Sequence, residues 1–370
     1  MFWIGRYAER AEDTARLLEV HVSTMLQDPD ADEEAACRSL LTVMGVGVGT
    51  TDRPRVRDTV ERLAFDHSGS ASIVGAWLAA RENARGIRES ISSELWECLN
   101  ATHNALPYEQ ARAQIRGPHS FCAYVRERAA IVDGLSSTTL RRDAGWRFLA
   151  LGRSLERVDM TTRMLALHPG DGAGGWVRLL LSCGAYEAFL RTYHGNLDGG
   201  RVTEFLLLDG LYPRSVFFAL TTAERCLSAL YGDQEQLRGV VDDEARRLLG
   251  RARNHLEFLS VAELLVDLPT QLFELQRMCS QVSDAVTARF FYRDTPAAWR
   301  WRHRHDPGDA RAGLALERAA HDRISLRQGG GGLLQRGSAD SPDDPPSVAA
   351  RHPRHHLAGR SPDPLRRLLG

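Results

Sequence analysis

The sequence predicts an all-α fold: a bundle of about ten helices in two tandem, related halves, followed by a disordered C-terminal tail. Three observations predict it. Apolar residues recur at steps of 3 and 4 through most of the first 297 residues, the spacing of one helix face. Period-2 strand patterns are lacking. And one charged segment occurs twice, "GRYAERAEDTAR" at 5–16 and "GRSLERVDMTTR" at 152–163.

The first helix carries its apolar stripe through Ile4, Ala8, Ala11, Ala15, Leu18, Val22 and Met25. Its counterpart carries Phe148, Leu151, Leu155, Val158, Thr162 and Leu165. Further helices read as about 33–45, 55–66, 71–104, 118–142, 173–194, 202–209, 214–231, 235–256 and 258–293. Breakers stand between them: "QDPDAD", "GVGVGTTDRP", "ALPYEQ", "HPGDGAGG", "HGNLDGG" and "LYPRS", rich in the residues that end helices and make turns.

Overlaid with a shift of 147, the two charged segments match closely. Gly5 falls on Gly152, Arg6 on Arg153, Glu9 on Glu156, Arg10 on Arg157 and Arg16 on Arg163, while Glu12 falls on Asp159 and keeps the carboxylate. The match extends further. "RSLL" at 38–41 meets "RLLL" at 178–181, and Glu61, Leu63, Asp66 and Ser72 meet Glu204, Leu206, Asp209 and Ser215. Small drifts in the shift are what loop insertions produce. The expected domain is therefore 1–297, in halves 1–143 and 144–297, and the expected tail is 298–370. From residue 302 the tail holds 12 Arg against 8 acidic residues, with "QGGGGLLQ" and "DSPDDPP", a composition too poor in apolar pattern to build a core.

Composition narrows the function classes. The chain has 370 residues, 43% of them hydrophobic, and a formal net charge of -1, which gives no bulk field for nucleic acid. All 47 basic residues are Arg. The longest apolar runs fall far short of the ~20 residues of a membrane helix. The start, charged by Arg6, lacks the apolar stretch of a signal peptide. Six Cys without a CxxC pair fit reduced thiols in the cytoplasm better than a disulfide frame or a zinc site. No metal and no cofactor is expected. "GVGVG" at 45–49 lacks both the last glycine and the strand of a dinucleotide fingerprint, and there is no GKS, GKT, GxSxG or HExxH. His67, His103, His119, His168, His194 and His255 lack ligand spacing.

The charges carry the functional question. On a helix, Gly5, Glu9, Glu12 and Arg16 form one line on the flank of the apolar stripe, and Gly152, Glu156, Asp159 and Arg163 form the same line in the second half. Glu12–Arg16 and Asp159–Arg163 are i,i+4 pairs with the acid first, the favourable order. A glycine inside a helix costs about 1 kcal/mol against alanine, so its presence at both places suggests a second backbone close by. A third stretch, "ARENARGIRE" at 80–89, puts Arg81, Arg85 and Arg88 on one flank beside a stripe through Trp77, Ala84, Ile91 and Leu95. That arginine border is expected to complement the acidic one. Three roles suit such borders: a partly buried ion-pair network, the lining of a cleft for an anionic or peptide ligand, or catalysis by Glu9 or Glu156. Catalysis would need an acid and a base with pKa values driven apart.

At "FWIGRYAERAEDTARLLEV", "ARENARGIRESISSELWECLN", "FLALGRSLERVDMTTRML" and "LYPRSVFFAL" the sequence resembles the alpha-E family, bacterial helical proteins named for a Glu-Arg motif. The resemblance covers about residues 2–297. By carry-over the motif residues are Arg6, Glu9, Arg10, Glu12 and Arg16, then Arg81, Glu82, Asn83 and Arg85, then Arg153, Glu156, Arg157, Asp159 and Arg163. The resemblance also implies a setting. Family members are encoded beside, or fused to, circularly permuted ATP-grasp ligases and transglutaminase-like peptidases. The implied role is a non-catalytic helical accessory in peptide or amide-bond synthesis. An enzyme using the Glu/Arg sets on an amide or peptide, and a purely structural scaffold, are the alternatives.

Overall fold

A computed structural model describes residues 1–28, 30–167, 172–231 and 243–291. The described residues form helices joined by turns and loops, with no strand among them. The expected tail, 298–370, and residues 235–242 of one expected helix lie outside them.

Helix α1 (Phe2–Gln27) and helix α7 (Ala144–Ala166) pack on each other at the centre. The predicted stripes bury as the spacing requires: Ile4, Ala11, Ala15 and Leu18 on α1, and Leu151, Leu155 and Val158 on α7, are almost fully enclosed. The two glycines fix how closely the axes approach. A Cβ on Gly5 would collide with the carbonyl oxygen of Leu149, and a Cβ on Gly152 would collide with that of Phe2. Each glycine thus admits the backbone of the other helix, which offsets its cost in helix propensity.

Each central helix has the same company. Helices α4 (Ile73–Arg85) and α6 (Pro118–Thr138) flank α1, and α5 (Ser93–Arg116) packs on both. Helices α11 (Val216–Ser228) and α14 (Leu268–Phe290) flank α7, and α12 (Glu244–Phe258) packs on both. Shorter helices fill the connections: α2 (Glu33–Val43), α3 (Val56–Val60), α8 (Gly172–Ser182), α9 (Tyr186–Tyr193), α10 (Gly199–Leu208) and α13 (Val261–Val266). Side-chain caps start many of these: Asp32 accepts from Ala35 N, Ser72 from Gly75 N, Ser215 from Phe218 N and Asp243 from Arg246 N, satisfying amides the first turn leaves free.

The described residues hold fourteen α-helices rather than about ten, and each difference has a local cause. The expected helix 71–104 stops at Gly86, turns through a 3-10 turn at Arg88–Ser90, and restarts where Ser92 accepts from Leu95 N. The expected helix 173–194 breaks at Gly184, which sits at φ +62°. The expected helix 258–293 is split where α13 ends at Asp267 and Pro269 opens α14. One breaker fails in the other direction. Helix α5 runs through Pro107, although an internal proline forfeits a hydrogen bond and costs about 3 kcal/mol; burial of Leu99, Leu106 and Ala113 along the same face keeps the helix continuous.

Candidate functional site

The α1–α7 seam brings the two charged segments together. Glu156 is fully buried and gathers two arginines of α1: Arg6 donates from Nε to Oε2 at 2.6 Å, and Arg10 donates from Nε to Oε1 and from Nη2 to Oε2, the latter at 3.0 Å. Glu9, 3% exposed, mirrors it: Arg157 of α7 donates from Nε to Oε1 at 2.6 Å and from Nη2 to Oε2 at 2.9 Å. Each arginine also ties down the loop before the neighbouring helix, Arg10 reaching Ser70 O and Arg157 reaching Pro213 O at 3.0 Å. Those loops are built alike. Ser72 donates to Asp66 O and Ser215 donates to Asp209 O. The local pairs form as spaced, Arg16 on Glu12 at 2.8 Å and Arg163 on Asp159 at 2.9 Å. Arg6 and Arg10 also lie over Trp3 and Tyr7.

Four residues at the seam were not picked out by the sequence reading. Arg214 donates to Cys183 O at 3.1 Å, to Glu12 at 3.2 Å and to Asp13, and lies 3.4 Å from Glu9. Ser283 accepts from Arg6, and Asp133 pairs with Arg153. Asp13 and Arg214 had usable signals: Asp13 falls four residues after Glu9 on the same line, and Arg214 follows Pro213 in the "LYPRS" breaker. Ser283 and Asp133 had no local signal.

The arginine border on α4 does not meet the acidic one. Because Gly86 ends α4, Arg88 leaves the helical phase that would have aligned it. Arg81 and Arg88 instead cover the Trp96 ring at 5.5 and 5.3 Å. Arg81 donates to Asn100 Oδ1 and Glu82, Arg85 donates to Glu82, and Asn83 donates to Ala79 O. This is a local surface cluster, apart from the seam.

Burial and the guanidiniums set the ionisation of the seam. Burial would raise Glu9, but Arg157 and Arg214 overcome it and hold the carboxyl at about 2. Glu156 is likewise driven down by Arg10 and Arg6 against its burial. Asp13 goes the other way: burial, with Glu9 and Glu12 adding to it, outweighs Arg214 and pushes it up to about 8. Burial also raises Asp159, against Arg163. The two directions have opposite consequences. Glu9 and Glu156 contribute stability that is full above the ordinary glutamate range and is lost as pH falls from about 4.5 toward 2. Asp13 contributes stability that is present at low pH and lost as pH rises toward 8. Melting curves from pH 3 to 8 should therefore show an acid-side fall that Glu9→Gln reduces, leaving the share of Glu156, and a neutral-side fall that Asp13→Asn removes. An acid-side fall that survives in Glu9→Gln at full size would contradict the assignment to Glu9.

Two cavities open on the seam. One of about 150 Å³ lies beside Glu9, Arg153 and Arg157, against Ala129, Val132 and Ser136 of α6. The other, about 140 Å³, lies beside Glu156, Asp159 and Arg163. Among the described residues no group of three or more His, Cys, Asp or Glu is arranged to hold a metal ion, and no helix is long and apolar enough to cross a membrane.

An uncharacterized protein of Mycobacterium bovis is 25% identical over 319 residues, covering 78% of this chain and 36% of its own length. An uncharacterized protein of Mycobacterium tuberculosis matches at the same identity and coverage. The chain thus spans about a third of the length of these curated relatives. No solved structure matches it. The Alpha-E family, described as a predicted alpha-helical domain with a conserved ER motif, matches residues 1–291; with its buried, crossed glutamate–arginine pairs, the chain belongs to the Alpha-E family.

Proposed function

We propose that this protein is a non-catalytic helical accessory of a peptide or amide-bond synthesis system, built from two copies of one unit and working in the cytoplasm. Its partners in this reading are a circularly permuted ATP-grasp ligase and a transglutaminase-like peptidase, with a peptide as a further candidate to bind. The observation that supports a non-catalytic role is the state of Glu9 and Glu156. Both are buried, both are doubly engaged by arginines of the opposite half, and both are held ionised far below neutral pH. A general acid or base works best with a pKa near the operating pH. These carboxylates are placed instead to lock α1 to α7.

The duplication is supported by contacts that recur at the same offset: Glu9–Arg157 against Glu156–Arg10, the paired glycines, and the two serine-capped loops. The cytoplasmic location is supported by six cysteines that are all buried and free. One observation favours the enzyme reading: Asp13 at about 8 beside Glu9 at about 2 is a pair of carboxyls with separated pKa values. Asp13 is only 1% exposed, however, and its Oδ2 faces no hydrogen-bond partner, so a substrate would have to displace Arg214 to reach it.

The test is to assay the purified chain for ATP turnover and then to mix it with the ATP-grasp protein encoded nearby. The chain alone should turn over no ATP, and the two should co-elute as a complex. Reversal of the exposed Arg85 to Glu should weaken that complex if the α4 surface cluster forms the contact. ATP turnover by the chain alone, lost in Glu9→Gln, would overturn the accessory reading.

A further inference from the structure

The two halves bury the same constellation but complete it differently. Beside Glu9 and Glu12, the space is closed by Asp13 and by the Arg214 side chain, which reaches across to Cys183 O. At the matching positions of the other half, 147 residues on along the helix and 143 back along the loop, stand Met160 and Ala71. Neither can close the space. What remains is the 140 Å³ cavity walled by Arg10, Met44, Ala71, Asp159, Met160 and Arg163, with Glu156 behind them. Every wall is the counterpart of Arg214 itself or of a residue around it. The cavity is the room that an arginine fills in the first half.

Charge decides what can enter. The first site sets Glu9, Glu12, Asp13 and Asp133 against Arg16, Arg153, Arg157 and Arg214, four groups of each sign, with Asp13 keeping its proton up to about pH 8. The second sets Glu156 and Asp159 against Arg6, Arg10 and Arg163. Where Asp133 meets Arg153 in the first, Ser283 meets Arg6, which also turns inward to Glu156. One positive charge is left over in a partly buried site, where an uncompensated charge is costly. A second cation, the guest that Arg214 suggests, would add to that surplus, and Met160 offers it no oxygen where Arg214 meets Asp13. A monoanion would cancel it.

We infer that this cavity binds a carboxylate, held between the guanidiniums of Arg10 and Arg163, with its short aliphatic stem against Met44, Ala71 and Met160. Planar guanidinium forks match a carboxylate, and the methionines suit a few methylenes. The carboxylate can come from a free small acid or from the end of a peptide chain. The inference does not depend on the accessory reading and survives if no ligase partner is found.

The test uses the full chain at constant ionic strength, with sodium chloride as the baseline. Melting is followed by circular dichroism with acetate, with N-acetyl-dialanine, with the C-terminal amide of that dipeptide, and with methylguanidinium. The methyl signals of Met44 and Met160 are followed by NMR in the same titrations. Acetate or the free dipeptide should raise Tm saturably, by about 3–5 °C at ten times Kd, and should move both methionine signals. Protection by acetate and dipeptide together would assign the site to any small carboxylate, and protection by the dipeptide alone would assign it to a peptide terminus. Ala71→Leu, and Ala71→Arg combined with Met160→Asp, should remove the response. The inference is overturned if neither carboxylate exceeds chloride and the methionine signals stay still, if the amide or methylguanidinium acts as well as the acid, or if the response persists in Ala71→Leu.

Discussion

Glu156→Gln is expected to destabilise the fold by about 3–5 kcal/mol, because it strips the carboxylate from two arginines at once while leaving both buried. Arg6 is 6% exposed and Arg10 is only partly open; both direct Nε at this one side chain. A glutamine offers one acceptor oxygen in place of two, and an amide that points more donors at donors. Against a total stability of the usual 5–15 kcal/mol, the loss should appear as a fall in Tm on the order of 10 °C. Glu9→Gln should cost less, since Arg214 keeps Glu12 and Asp13 as partners. Calorimetry on the two variants gives both the size and the order. A Glu156→Gln protein that melts with the wild type would show that the crossed pairs do not hold α1 against α7.

Arg214→Ala should be the second costly change, again by about 3–5 kcal/mol, and it should be chemically reversible. Removing the guanidinium leaves Asp13 facing an empty space, takes one of the two arginines from Glu12 and leaves Cys183 O only the longer contact from Tyr212 Oη at 3.5 Å. Asp13, already pushed up by burial to about 8, would keep its proton and limit the damage. Millimolar methylguanidinium can return to that space the group that was removed. It should therefore raise the Tm of Arg214→Ala and leave that of Glu156→Gln unmoved, because the latter lacks a carboxylate and not a cation. Equal recovery of both variants would mean the additive acts generally and that Arg214 does not work through this contact.

The crossed pairs join α1 to α7 through buried glutamates of both helices. The two sides of the seam differ at Asp13 and Arg214 against Met160 and Ala71, and the cavity beside Glu156 lies at the second pair, whereas the cavity beside Glu9 lies against α6.

The sequence alone determined the elements and their inner faces. Steps of 3 and 4 place Ile4, Ala11, Leu151 and Leu155 on a buried stripe because helical geometry ties spacing to direction, and this holds whatever the stripe packs on. It determined the local ion pairs, Glu12–Arg16 and Asp159–Arg163, because an i,i+4 pair needs only its own helix. It determined that Gly5 and Gly152 face a second backbone, since nothing local repays a glycine inside a helix. Only the tertiary structure decided that each glycine faces the other's helix, and that the arginines of each half cross to the glutamate of the other. Those partners lie about 150 residues apart, and no spacing rule reaches across such a gap. The arginine border of α4 was misassigned for the same reason: its chemistry suited the acids, but a helix that ends at Gly86 turns Arg88 toward Trp96. Arg214 sat unremarked in a turn, because a residue's place in a loop says nothing of the site the loop closes; its reach to Asp13 exists only once α11 has packed on α7 and carried the preceding loop over the end of the seam.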